Sequence, residues 1–312
     1  MQGDAIEALR AISSNSYNGC LSDPPYELGF MGKKWDSTEI AFNPELWSEV
    51  LRVLTPGGYM LCCGGTRTYH RVTCAIEDAG FEIRDCLMYM YGTGFPKSKS
   101  CLKPSYEPIV LARKPGKTVL PLNIDGCRIG DSGGCRYDPI LQGRGRDAIT
   151  CYGNGLNNST RGQSVPGLGR WPTNTILDEG FEGEPWSRYF YTAKASRTER
   201  DAGCESIPLK AGGSNAKGFT QDIENGIDRN RPVANFHPTV KPLSLTEHLA
   251  KLILPNPSPD TQRRLLVPFS GSGSEMIGGM LAGWDEVTGI DLQPEYVEIA
   301  KARLQHWGKQ QS

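Results

Sequence analysis

The hydrophobic pattern of this chain breaks in its middle. Residues 1–112 and 237–312 carry alternating strand and helix signals, whereas residues 114–235 carry almost none. A sheet built from such a chain has to draw its strands from both flanks and let the middle leave and return. The 312 residues suit one catalytic domain with an inserted region.

On the first flank, Asn18–Ser22 is a short strand that runs into Asp23-Pro24-Pro25-Tyr26. Pro44–Leu54 is a helix, with Leu46, Trp47, Val50, Leu51 and Leu54 at helical spacing, and Pro56-Gly57-Gly58 is its expected stop. Tyr59–Cys63 is a continuous apolar run, as in a buried strand, closed by Gly64-Gly65. A helix over Thr68–Ala79 ends at Gly80, and strands follow at Phe81–Tyr89 and Glu107–Ala112. On the second flank the same logic predicts a helix at Leu243–Leu254, a strand at Arg264–Pro268 and a helix at Glu275–Ala282. A strand at Glu286–Ile290 and a helix at Pro294–His306 complete it. The alternation specifies an α/β sheet with helices on both faces.

The middle is rich in glycine, asparagine, serine and arginine, as in Gln142-Gly143-Arg144-Gly145-Arg146. A long irregular insert in a compact enzyme is functional or disordered. From Lys97 to Arg170 there are twelve Lys and Arg against five Asp and Glu, in a chain of net charge −1. That is a local footprint for a polyanion. No run of about 18 uncharged apolar residues is present, so no membrane span is expected. Met1–Arg10 carries acids and no apolar core, unlike a secretory signal. The ten cysteines form no Cys-x-x-Cys pair and only four histidines accompany them, which argues against a zinc site. They are expected as small buried hydrophobes in a reducing cytoplasm.

Asp23-Pro24-Pro25-Tyr26 falls at the carboxyl end of a strand, where open α/β sheets place their ligands. An aromatic exocyclic amine is a poor nucleophile, because its lone pair is delocalised into the ring. A carboxylate and a backbone carbonyl that both accept its N–H bonds draw the nitrogen towards tetrahedral geometry. Asp23 has the carboxylate, and Pro24 has a carbonyl held in place by Pro25. Tyr26 has a flat face for an extruded base.

Phe269-Ser270-Gly271-Ser272-Gly273-Ser274 joins a strand to a helix, with glycines that permit a tight turn and close backbone approach. Asp291 follows Gly273 at the end of the next strand, where a Rossmann-like fold sets an acid on ribose hydroxyls. The turn is not a Gly-x-x-x-x-Gly-Lys-Ser/Thr loop for nucleoside triphosphates.

Together these segments resemble the β class of DNA amino-methyltransferases, the N4-cytosine/N6-adenine family, with its circularly permuted order of catalytic motif, recognition region and cofactor glycines. The resemblance implies a Rossmann-like methyltransferase sheet divided into a catalytic half at 1–113, a target-recognition region at 114–235 and a cofactor half at 236–312. It implies S-adenosylmethionine as methyl donor, DNA as substrate, a flipped-out target base and no metal. Gln2-Gly3-Asp4-Ala5 looks like the segment whose Asp contacts the cofactor adenine, and Asp23-Pro24-Pro25-Tyr26 looks like the catalytic motif. Phe95–Ser98 and Pro104–Ile109 resemble the stretch before the recognition region, and Tyr189–Ser196 the stretch that closes it. His237-Pro238-Thr239-Val240-Lys241-Pro242 is similar to the motif at the methionine end of the cofactor. The implied cofactor residues are Asp4, Asp23, Thr239, Lys241, Phe269, Gly271, Ser272, Gly273, Ser274 and Asp291.

Three positions depart from the family pattern. Val267-Pro268-Phe269 stands where Asp-Pro-Phe is usual, Ser274 where Thr is common, and Tyr89 and Tyr91 where a Trp often lies. Either tyrosine is a candidate second aromatic wall. Asp at position 23 leans the resemblance towards N6 of adenine. The alternatives are N4 of cytosine, an RNA or protein glutamine N-methyltransferase, and an inactive DNA-binding remnant. The resemblance further implies the cytoplasm of a bacterium or phage-infected cell and a link to restriction-modification. It admits a homodimer. Arg144, Arg146 and Arg161 are the candidates for contacts with phosphates or guanines.

Overall fold

The computed structural model describes residues 1–28, 37–92, 94, 99–100, 102–117, 120–131, 134–135, 164–165, 167–193, 197–210, 234–258 and 262–309. The strands are β1 Tyr17–Ser22, β2 Leu54–Cys63, β3 Glu82–Met90, β4 Tyr106–Arg113, β5 Gly134–Cys135, β6 Ser164–Val165, β7 Thr175–Asp178, β8 Tyr191–Ala193, β9 Arg264–Pro268 and β10 Glu286–Ile290. The helices are α1 Ala5–Arg10, α2 Pro44–Val53, α3 Tyr69–Asp78, α4 Arg197–Asp201, α5 Leu243–Leu252, α6 Ser274–Ala282 and α7 Pro294–Lys309. Eight strands make one sheet in the order β10-β9-β1-β2-β4-β3-β7-β8, and β5 pairs with β6 apart from it. Within the large sheet only β4 runs against its neighbours; the other pairings are parallel.

The two flanks meet at the sheet centre, where Gly19 and Cys20 of β1 pair with Leu265 and Leu266 of β9. From β1 the chain winds towards one edge and from β9 towards the other. Their shared carboxyl ends are therefore a topological switch point, the place where such sheets open a crevice.

Side-chain alternation explains why the central strands are apolar throughout. Cys20, Met60, Cys62, Val110 and Leu266 enter a core with Leu9, Trp47, Val50 and Ile76 from α1, α2 and α3. Their neighbours Leu21, Leu61, Cys63, Leu111, Leu265 and Val267 enter the opposite core, with Leu245 and Leu249 of α5 and Trp284. Each face thus takes alternate residues and leaves no solvent side. α6 lies close on α5, since a Cβ at Gly278 would sit 2.5 Å from Thr246. No helix among the described residues is long and apolar enough to cross a membrane.

The sequence placed the α/β architecture correctly and several local features differently. Pro56-Gly57-Gly58, expected as the stop of the helix, lies instead inside β2, which begins at Leu54 directly after α2 ends at Val53. The register slips there, from Tyr17↔Leu54 to Gly19↔Tyr59, so the three residues form an irregularity that Gly57 accommodates at φ 84°. α1 was not expected. Its signal is a single cap, because the Asp4 carboxylate accepts from the backbone N–H groups of Ile6 and Glu7. β7 and β8 lie within the stretch expected to be irregular, yet they extend the sheet beyond β3. At four and three residues they are too short to show a period. Cys20, Cys62, Cys63, Cys127 and Cys204 are buried as expected, whereas Cys74 and Cys86 are exposed. Phe95–Ser98, Arg144, Arg146, Arg161 and Lys194–Ser196 lie outside the described residues.

Candidate active site

The turn after β9 is held in a conformation that few residues adopt. Phe269 has φ 60°, a left-handed value that costs a bulky side chain energy, and Gly271 and Gly273 follow at 48° and 81°. Three groups fix the turn. Asp291 Oδ2 accepts from Gly271 N–H at 2.8 Å, while its Oδ1 accepts from Gln293 N–H at 2.8 Å. The fully buried Arg303 of α7 donates through Nη1 to the Ser272 carbonyl, the Ser272 hydroxyl and the Ser274 hydroxyl. His237 closes the open side, because a Cβ at Gly271 would lie 2.8 Å from its Nε2. His237 Nδ1 bonds the Thr239 carbonyl at 2.6 Å, and burial outweighs that bond to hold the imidazole below its ordinary range. A neutral ring that donates through Nδ1 presents an Nε2 lone pair to the turn.

Across the switch point, Asp23 and Tyr26 after β1 join Glu107 and Lys241 in a partly buried polar cluster. The Lys241 ammonium lies 3.0 Å from Asp23 Oδ1 and 2.8 Å from Glu107 Oε1, and it donates to the Tyr26 hydroxyl at 3.0 Å. The Tyr26 hydroxyl reaches Glu107 at 2.6 Å and Asp23 Oδ1 at 2.9 Å. A phenol has one proton to give, and Glu107 is its nearer acceptor. Burial opposes the Lys241 charge, but Asp23 and then Glu107 outweigh it and hold the ammonium well above its usual value. Burial, then Asp23 and Glu107, push the Tyr26 phenol up, so it stays protonated. Ligand atoms of Asp23, Cys63 and Glu107 lie within 4.8 Å of one another, but the Lys241 ammonium fills the space between the two carboxylates.

Both segments face one cavity of about 1240 Å³. Asp23, Pro24, Pro25 and Tyr26 line it on one side, and Phe269, Gly271, Ser272 and Ser274 on the other. Asp4, Thr239, Lys241 and Asp291 line it as well, as do Tyr89 and Tyr91, whose rings stand 5.9 Å apart. Among the expected residues Gly273 is the exception. It caps α6, and a Cβ there would meet Ala300 of α7 at 3.0 Å, so its glycine serves helix packing. Val267 is fully buried in the core on the α5 face and does not line the cavity.

The sequence motifs did not single out Glu107 as part of the catalytic cluster, nor Glu275 or Arg303. Glu107 stood in view within a family segment, but its link to Tyr26 spans 81 positions and shows no local spacing. Glu275 follows the glycine turn directly, is 5% exposed and lines the cavity. Burial first, and Asp23 second, raise its carboxyl to about 7. Arg303 sits on α7, where its charge alone would suggest a solvated face.

The cavity therefore joins a carboxylate–carbonyl pair to a glycine-rich cradle with an acid beyond it. A likeness to known proteins has the same shape. The Type II methyltransferase M.HpaI of Haemophilus parainfluenzae is 27% identical over 135 residues, which is 40% of this chain and 41% of that protein. The structure of the PvuII DNA methyltransferase, named as cytosine-N4-specific, superposes with a TM-score of 0.54 at 14% identity over 97% of this chain and 84% of that one. The complex of M1.HpyAVI with SAM gives a TM-score of 0.48 at 15% identity over 97% and 98% of the two chains. A family model for N6/N4 methylases, described as DNA methylase, matches residues 17–302. With that match running from β1 to α7, the chain belongs to the N6/N4 DNA methylase family.

Proposed function

We propose that the chain transfers a methyl group from S-adenosylmethionine to N6 of adenine in DNA. The observation that carries this reading is the meeting of Asp23-Pro24-Pro25-Tyr26 and the Phe269–Ser274 turn in one cavity at the switch point. Family membership supports the reaction class and the donor.

The residues fit the donor. Gly271 lines the cavity with no side chain of its own, Asp291 is an acid at the end of β10 for ribose hydroxyls, and Asp4 lines the same cavity. Thr239, Lys241 and Ser274 line it too and would hold the methionine end. When bound, S-adenosylmethionine supplies an electrophilic methyl group on a sulfonium. The chain's part is to aim the amine. Lys241 engages Oδ1 of Asp23, so Oδ2 is the oxygen that meets an amine N–H. The Pro24 carbonyl takes the second N–H. The amine sheds one proton as it gains the methyl group, and Asp23 stands as its acceptor. Tyr26, tethered at its hydroxyl, offers its ring to the flipped base, with Tyr89 or Tyr91 as the opposing wall. Residues 114–235 are assigned to target recognition.

Adenine is favoured because the motif begins with Asp23. Methylation-sensitive sequencing of DNA from cells that express the chain tests this. N6-methyladenine in a fixed context is the expected outcome. N4-methylcytosine would overturn the choice of base, and unmodified DNA would overturn the activity.

A further inference from the structure

Glu275 is a buried carboxylate for which the reaction described above has no use. It lies in the first turn of α6, is 5% exposed, and lines the cavity. An acid in a helix's first turn complements the helix dipole, but that service is as well rendered from the surface. The donor beside Glu275 among the described residues is its own backbone N–H. The charged and titratable groups facing it come from four segments: Asp23 after β1, Cys63 at the end of β2, Lys241 before α5, and Arg303 of α7. Lys241 is already shared by Asp23 and Glu107, and the guanidinium of Arg303 is committed through Nη1 to Ser272 and Ser274. Three carboxylates, Asp23, Glu107 and Glu275, thus face two cations, the Lys241 ammonium and the Arg303 guanidinium. Such a site is short of one cation with N–H donors, since a buried carboxylate needs both a counter-charge and hydrogen bonds.

We propose that Glu275 receives the α-ammonium group of the methionine moiety of the cofactor. The inference rests on the cofactor reading above. A sulfonium carries no N–H and gives such a carboxylate only Coulomb attraction, whereas an ammonium supplies the missing donors as well. The proximity of Glu275 to Asp23 and Lys241, rather than to Asp291 and Asp4, puts it at the methionine end.

Two ligands separate this role from a structural one. S-adenosylhomocysteine carries the α-ammonium; 5′-methylthioadenosine keeps the nucleoside and thioether and lacks the amino-acid end. Calorimetry on the full chain should show Glu275→Gln binding S-adenosylhomocysteine about tenfold or more weakly than the parent. The two proteins should bind 5′-methylthioadenosine alike. Equal losses for both ligands, or for neither, would overturn the proposal. The parent protein gives a second readout without any variant. In buffers of different ionisation enthalpy at pH 7, S-adenosylhomocysteine should release roughly half a proton per site as Glu275 ionises, and 5′-methylthioadenosine none. Equal release by the two ligands would refute the pairing. If the parent binds neither ligand, it is the cofactor reading that falls.

Discussion

The Tyr26 hydroxyl lies 2.6 Å from the carboxylate of Glu107, tying the catalytic turn after β1 to the antiparallel strand β4. The contact gives Tyr26 two separable jobs. Tyr26 lines the cavity, where its ring is proposed to stack on a base, and its hydroxyl joins Lys241 and Glu107 beside Asp23. Tyr26→Phe keeps the ring and loses the hydroxyl. It should leave the 2-aminopurine signal of a flipped target base near the parent level while lowering kcat. Tyr26→Ala should weaken the grip on the base as well, by about 1–3 kcal/mol. An unchanged kcat in Tyr26→Phe would show the hydroxyl to be structural only.

Asp23→Ala should reduce methyl transfer by about 10²-fold or more, since a positioned acceptor is lost, and leave S-adenosylmethionine binding within a few-fold. Single-turnover methylation alongside calorimetry checks it. Turnover above about a tenth of the parent's would remove Asp23 from its role.

Lys241→Met leaves Asp23 and Glu107 facing each other without their shared cation. Breaking a buried pair costs on the order of 3–5 kcal/mol, and the residual exposure of these side chains places this site at or below the lower end. The folded-state value of Lys241 is raised, so its stabilising contribution is complete below the unfolded value of about 10.4 and is lost only as pH rises through the folded one. The stability gap between Lys241→Met and the parent should therefore be flat from pH 6 to 9 as far as Lys241 is concerned. Urea melts at several pH values measure it.

Glu275 has the opposite consequence for the empty protein. Its carboxyl is held at about 7 by burial and then by Asp23. The folded chain thus binds this proton more tightly than the unfolded chain, and stability falls as pH rises from about 4.3 to about 7. Glu275→Gln should remove that slope and make the ligand-free protein more stable than the parent at pH 8, by roughly 3–4 kcal/mol. Melts at pH 5 and pH 8 without ligand test the sign. A Glu275→Gln protein less stable than the parent at pH 8 contradicts it.

Gly271→Ala meets two obstacles, a φ of 48° and a Cβ 2.8 Å from His237 Nε2. The turn has to shift, and the dissociation constant for S-adenosylmethionine should rise at least tenfold. Gly273→Ala would press on Ala300 instead, so it should lower the melting temperature more than it weakens binding.

The parts of this molecule that were legible in the sequence are those whose signal is local. The apolar runs of β2 and β9, the helical spacing of α2 and the Asp23 and Gly271 motifs can each be seen within a few residues. The parts that were not are set by partners far along the chain. β7 and β8 are strands because β3 offers them an edge, and Pro56-Gly57-Gly58 is an irregularity because β1 and β2 differ in length at that point. Glu107, Glu275 and Arg303 draw their neighbours from far along the chain: Glu107 meets Tyr26 and Lys241, Glu275 faces Asp23, and Arg303 reaches back to Ser272 and Ser274. Asp4, expected at the cofactor, lines the cavity and caps α1 through partners only two and three residues on.

The pairing of Gly19 with Leu265 sets a schedule for synthesis. When the ribosome has made β1 and β2, the other edge of β1 has no partner, and it stays unpaired until some 200 further residues have emerged. Trp284, which packs onto Gly19, arrives later still. The nascent chain therefore carries an exposed, apolar strand edge for most of its translation, a template for pairing with other chains. Emergence of β9, rather than of the first strands, is the event that builds the centre of the sheet, and the Asp23 and Gly271 segments become neighbours in that same step.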